Sequence, residues 1–329
     1  MNDSLNLTAL AASLETYARD NQEHIFQRAL LPGVEAGIEG TGIVPISEYM
    51  TMMQATDEVV LTNLELDDVA QPGGNGTFDP STNAVNFKPR IGKVRPAKVD
   101  MLFTQPKMIA LYKSYMGQVR AKRIDPEEVP FEEYISARVV AKFQENIRVK
   151  TLFNGVYNKT GKSPLDIADG LKTQILAAIV AGDIPAANII DTAVITSSNA
   201  VAETEKIISS IPDAEVYSGL ICVCSRRYKE NFEQNYRDKY GNLNYNNSQL
   251  KQVIPGTNIP FVVEPGLSGF NRPLFTKNGN FVYLYDDLSG ADTLAVDYNK
   301  RTRDIAWVMD CQVGAGLAVA EQVWTSDGV

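Results

Sequence analysis

Residues 57–70 read DEVVLTNLELDDVA, residues 71–76 read QPGGNG and residues 85–98 read VNFKPRIGKVRPAK. Val60, Thr62, Leu64 and Leu66 recur at every second position on the first side, and Val85, Phe87, Pro89 and Ile91 on the second. Period two on both sides of a Pro-Gly-Gly-Asn-Gly turn predicts a long two-stranded β ribbon. Its charges are sorted. From 57 to 79 there are six acids (Asp57, Glu58, Glu65, Asp67, Asp68 and Asp79) and no base. From 86 to 98 there are five bases (Lys88, Arg90, Lys93, Arg95 and Lys98) and no acid. An arm of about 14 residues reaches roughly 45 Å. An isolated ribbon of that length is marginal in water and needs a surface to lie on. A neighbouring copy can supply it, and so can the chain's own sheet. The ten residues Asp57, Glu58, Glu65, Asp67, Asp68, Lys88, Arg90, Lys93, Arg95 and Lys98 are therefore candidate intersubunit contacts.

Upstream, residues 4–30 read as an amphipathic helix with Leu7, Leu10, Leu14 and Tyr17 on one stripe, followed by a glycine-rich hinge at 33–42. That helix can dock on its own domain or elsewhere. Downstream, Phe131, Ile135, Val139, Phe143 and Ile147 recur every four residues. They predict a helix over 131–154, about 36 Å long, with Pro130 at its start and Gly155 ending it in a left-handed turn. After Gly161 helices and strands alternate. Ser163-Pro164-Leu165-Asp166 has the form of a capping box for a helix that carries Leu171, Ile175, Ala178 and Ile179 and stops at Gly182. A short strand is expected at 193–195, a helix from Ser198, a buried strand over 217–224 and a charged helix from Ser225 to Tyr240. Further strands are expected near 259–264, 281–285 and 293–298. Two paired strands, split by Gly314 and Gly316, are expected over 304–323.

The chain has 329 residues, 31 Lys and Arg against 40 Asp and Glu, a net charge of −9, and 44% apolar content. About two domains and a large core follow from that length. The acidic balance argues against a protein that grips nucleic acid by overall charge. No apolar run approaches the ~20 residues of a membrane helix, and the three cysteines suit a reducing compartment. The single histidine, His24, leaves no relay with a nucleophile. Cys222 and Cys224 share one face of a strand and read as small core residues rather than zinc ligands. Gly314-Ala315-Gly316 lacks the third glycine of a dinucleotide loop. Paired acids such as Asp67-Asp68, Glu132-Glu133 and Asp286-Asp287 suit solvated faces. No catalytic residue, cofactor or metal is expected.

This order of parts resembles the major capsid protein of tailed bacteriophages, with the Hong Kong 97 fold. The strings Phe87 to Asp100, Leu220 to Phe232 and Val253 to Val262 are similar to that family's extension, A-domain strand and following loop. The resemblance implies an α+β fold: an N-terminal arm at 1–54, an E-loop extension at 55–100 and a P-domain with its spine helix at 101–162. An A-domain at 163–298 and a return to the P-domain sheet at 299–329 complete it. It implies a virion shell of hexamers and pentamers assembled in the bacterial cytoplasm, enclosing double-stranded DNA held by weak non-specific contact. A portal and a separate scaffolding protein are implied partners, because only about 50 residues precede the extension; no membrane is involved. The Lys–Asn cross-linking of some members is not carried over, since no partner for Lys88 or Lys93 is identifiable. An encapsulin-type compartment and, further off, an α/β hydrolase or transferase using Asp286 and Asp287 are the alternatives. Reversing Lys93 and Arg95 to Glu is expected to leave the subunit folded but abolish particles in electron micrographs.

Overall fold

The computed structural model describes residues 7–22, 24–25, 29, 44–61, 65–66, 85–86, 89–126, 129–241, 253–286 and 294–328. The glycine-rich hinge and the ribbon's turn lie outside these residues. Helix α1 (Leu7–Asp20) falls within the expected 4–30 helix, and beyond a turn at Asn21 the described residues Gln22, His24, Ile25 and Ala29 are helical as well. Its stripe docks on the molecule's own body: Ala11, Leu14 and Ala18 enter the main core, and Ser13 donates to Glu132 Oε1 at 2.5 Å. A single helical turn, Ile46–Tyr49, leads into β1 (Met50–Gln54). The ribbon follows as β2 (Glu58–Val60), β3 (Glu65–Leu66), β4 (Val85–Asn86) and β5 (Ile91–Lys93). Glu58 pairs with Lys93 and Leu66 with Val85, so one register runs through both described parts. Strand β6 (Arg95–Phe103), helix α2 (Gln105–Arg120) and helix α3 (Phe131–Asn146) come next.

Helix α3 continues through a wide π turn, Ile147–Thr151, into a last turn, Leu152–Asn154. The predicted 131–154 helix is thus present with a defect in it. Its end differs from expectation. Gly155 has φ −59°, not a left-handed value; glycine is needed because a Cβ there would sit 2.1 Å from the Ala168 carbonyl oxygen. The Ser163 capping box also exists, but it caps one 3-10 turn, Pro164–Asp166, while helix α4 (Leu171–Ala181) starts afresh after Gly170.

The second half holds β7 (Ile189–Ile190), α5 (Ala200–Ser209), β8 (Leu220–Cys224), α6 (Arg226–Tyr240), β9 (Phe261–Val263), β10 (Leu274–Lys277), β11 (Phe281–Asp286), β12 (Leu294–Asn299), β13 (Asp304–Leu317) and β14 (Val323–Ser326). Three expectations need correction. The early strand is Ile189–Ile190, and Val194 in the expected one is 61% exposed. Strand β8 begins at Leu220, with Tyr217 exposed before it. The expected pair over 304–323 is one continuous strand, β13.

Two five-stranded sheets result. One runs β1-β11-β13-β12, with β6 along the other edge of β13. The spine helix α3 lies against it through the shared core. The other runs β7-β14-β10-β8-β9. In β8, Leu220, Cys222 and Cys224 face α5 and α6 (Ile207, Tyr228, Phe232), while Ile221 and Val223 face Leu171, Ile175 and Leu267. All three cysteines are buried thiols. The Ser225 Oγ accepts from the Tyr228 amide and starts α6 as predicted. Gly279, at φ +83°, turns the chain from β10 in one sheet to β11 in the other, and Asn280 fixes that corner with bonds to Thr276 Oγ1 and the Val319 backbone.

The modules meet at a buried ion pair. Arg148, in the π turn, reaches Glu264 after β9 at 2.6 Å; Tyr49 donates to the same carboxylate at 2.6 Å, and Arg148 also donates to the Val44 carbonyl at 2.7 Å. Arm, spine and second sheet are joined there with Glu264 fully buried. Burial raises the Glu264 carboxyl, and Arg148 and Tyr49 oppose that. Arg148→Met leaves a buried carboxylate without its cation and is expected to cost about 3–5 kcal/mol. The double change Arg148→Met, Glu264→Leu is expected to recover most of it in denaturant melts. A carboxyl raised in the folded state favours folding more at low pH, so the single variant's deficit shrinks as the melt is moved toward acid.

Candidate intersubunit surface

The ribbon is rooted at both ends in the first sheet, through β1 and β6. Its root packs on the face of that sheet away from the main core. Ala55, Leu61 and Val94 close over Val282 and Leu284, and Val94 N bonds the Asp57 carbonyl at 3.0 Å. The approach is close enough to dictate composition. A Cβ on Gly314 would lie 2.3 Å from the Lys93 carbonyl oxygen, and one on Gly316 would lie 2.2 Å from a Leu61 methyl. This explains the glycines that looked like strand breakers. The first half of β13 buries alternate residues, Ile305, Trp307, Met309, Cys311 and Val313; from Gly314 to Leu317 every residue is buried because the root covers the second face.

The candidate contacts divide into three groups. Asp67, Asp68 and Lys88 lie outside the described residues, and Glu65 is placed only as a ladder position opposite Asn86. Asp57 is exposed. The remaining residues meet partners in their own chain. Lys93 bonds Glu58 across the ribbon at 2.6 Å, Arg90 reaches Asp183 at 3.0 Å, Lys98 pairs with Asp100 at 2.5 Å, and the Arg95 guanidinium lies 4.2 Å from the Tyr157 ring centre. Exposed pairs of this kind contribute roughly 0.2–1 kcal/mol each, enough to orient the root and not to build it.

The root's outer face carries a signal that charge sorting concealed. Val60 and Ile91 stand opposite one another in the ladder and are 55% and 56% exposed. A second apolar surface lies between β6 and α3. A groove of about 450 Å³ is lined by Val99, Met101, Phe103, Ile135, Val139 and Phe143, with Lys98, Arg138 and Lys142 around it. Among the described residues β6 pairs only with β13, so its other edge offers open backbone groups beside that groove.

The acids considered for chemistry are scattered. Asp286 is buried at the end of β11, Asp287 lies outside the described residues, and His24 is exposed near the N-terminus. Among the described residues no group of three or more His, Cys, Asp or Glu is placed to hold a metal.

No family model and no curated protein matches the chain. Solved structures do. A chain of the satellite phage P4 procapsid including size determination (Sid) protein is 13% identical, over 85% of this chain and 92% of its own, with a TM-score of 0.53. A chain from Mycobacterium phage Ogopogo is 12% identical over 85% and 90%, at 0.51. The capsid of an empty GTA particle is 10% identical over 89% and 92%, at 0.50. The fold is that of phage capsid shells. This Hong Kong 97-type architecture is α+β, as expected, and at such identity what is shared is backbone topology, not surface chemistry.

Gly314→Ala forces a methyl group onto main chain and is expected to loosen the ribbon root, seen as faster proteolysis between 55 and 95 and a lower melting temperature. Gly316→Ala meets the end of the Leu61 side chain instead of main chain and is expected to do less of both.

Proposed function

We propose that this chain is the major capsid protein of a tailed bacteriophage, a non-enzymatic shell subunit that closes hexamers and pentamers around double-stranded DNA. The observation that carries the reading is the ribbon's construction: anchored at both ends in one sheet, with Val60 and Ile91 left facing out as an apolar pair. Residues 1–54 would be the arm, 55–100 the extension, 101–162 the P-domain, 163–298 the A-domain and 299–329 the return. A neighbouring copy would cover the exposed pair, and the ribbon's remaining charges would set the register of that contact. Stable contacts need roughly 800 Å² per partner, which a long ribbon and the β6–α3 groove together can offer. A separate scaffolding protein, a portal and the packaged DNA are the further partners, and the virion is the location. Among the described residues no helix is long and apolar enough to cross a membrane.

Expression of the full chain, with its scaffold where needed, tests this by negative-stain microscopy and nuclease treatment. Closed particles holding nuclease-protected DNA support it. A 36.2 kDa monomer under all assembly conditions, or particles filled with protein cargo instead, overturns it. Val60→Asp with Ile91→Asp is expected to give a folded subunit, unchanged in circular dichroism, that forms no particles.

A further inference from the structure

Helix α2 and the turn after it stand apart from the rest of this acidic chain. Residues 101–124 contain five bases, Lys107, Lys113, Arg120, Lys122 and Arg123, and no acid. Without them the chain has 26 bases against 40 acids, so the remainder carries −14. All five are exposed. None has an ion-pair partner among the described residues, whereas Arg90, Lys93 and Lys98 of the ribbon are each paired within the chain. The helix that presents them is firmly seated. Met108 and Tyr115 are buried beneath it, and Tyr115 packs on Phe131 and Tyr134 of α3.

Helix stability does not account for the pattern. Bases in the last turn suit the helix dipole, but Lys107 lies in the first turn, where a cation is disfavoured, and no acid accompanies it there. Lys122 holds φ +53°, a left-handed conformation that is strained for a residue other than glycine. Lys113 and Arg120 are two helical turns apart, roughly 10 Å, on the same side.

We propose that the exposed bases of α2 and of the turn after it bind the phosphate backbone of double-stranded DNA, without sequence preference. The ribbon of a second copy is a poorer fit, because its acidic arm already lies beside its own basic arm, with Glu58 on Lys93. The acidic remainder of the chain, which resumes at Asp125, repels a polyanion, so contact is confined to this segment, which then faces the lumen of the shell. This orientation rests on the shell reading above; the binding itself does not.

The test is anisotropy of a short mixed-sequence DNA duplex with unassembled full-length subunits, titrated over salt. Five phosphate contacts give a log–log slope of about −4.5, a loss of roughly 500-fold between 50 and 200 mM. The variant Lys107→Gln, Lys113→Gln, Arg120→Gln, Lys122→Gln is expected to flatten the slope to about −1. The control Lys159→Gln, Lys162→Gln, Lys300→Gln, Arg301→Gln, with the same change of net charge, is expected to keep it. Equal loss in both variants, no loss in the first, or binding of an acidic polypeptide but not of DNA overturns the proposal. Absence of DNA binding by the unchanged subunit would sink this inference, and particles that still form from that subunit would leave the shell function standing.

Discussion

A β-strand has only two edges, and in this molecule those of β13 are almost fully used. Strands β12 and β11 share one edge end to end, meeting Asp304–Met309 and Gln312–Leu317. Strand β6 takes the other edge from Ile305 to Val313. Beyond that point the ribbon's main chain crosses at Gly314. Spine helix, ribbon and the entry from the second sheet are therefore all positioned by fourteen residues, and the lack of a side chain at two of them is what admits the ribbon.

Much of this could be read from the chain because the determining interactions are local. Alternation at Val60–Leu66 and Val85–Ile91 pointed to the ribbon, four-residue spacing to the helix over 131–154, and Ser225 to the start of α6. What escaped was set by distant partners. Gly314 and Gly316 looked like breaks because the Lys93 carbonyl and Leu61 that require them are more than 200 positions away. The Ser163 box is chemically complete, yet the close packing of Gly155 against Ala168 ends its turn early. Arg90 finds Asp183 and Arg148 finds Glu264 across gaps that no periodicity reports. Sorted charge drew attention to the ribbon, yet most of its described charges meet partners in their own chain; the apolar pair Val60 and Ile91 became visible only when burial showed which face was left uncovered.

The Arg148–Glu264–Tyr49 cluster illustrates the difference between strength and specificity. Desolvating both ions offsets much of their attraction, so an apolar substitute of the same shape could hold these segments as well. A carboxylate that accepts from a guanidinium and a phenol, while the same guanidinium donates to the Val44 carbonyl, tolerates few other arrangements. It fixes how the arm, the π turn of the spine and the second sheet meet.

Ribbon anchorage also has a mechanical consequence. A pull that reaches β6 at Arg95 and runs along the strand acts against nine residues paired in register with β13. Force applied in that direction loads the ladder's hydrogen bonds together, as shear, instead of peeling them one at a time. A shell whose neighbours pulled on β6 along its length would meet internal pressure in the direction in which a β-sheet is least easily torn.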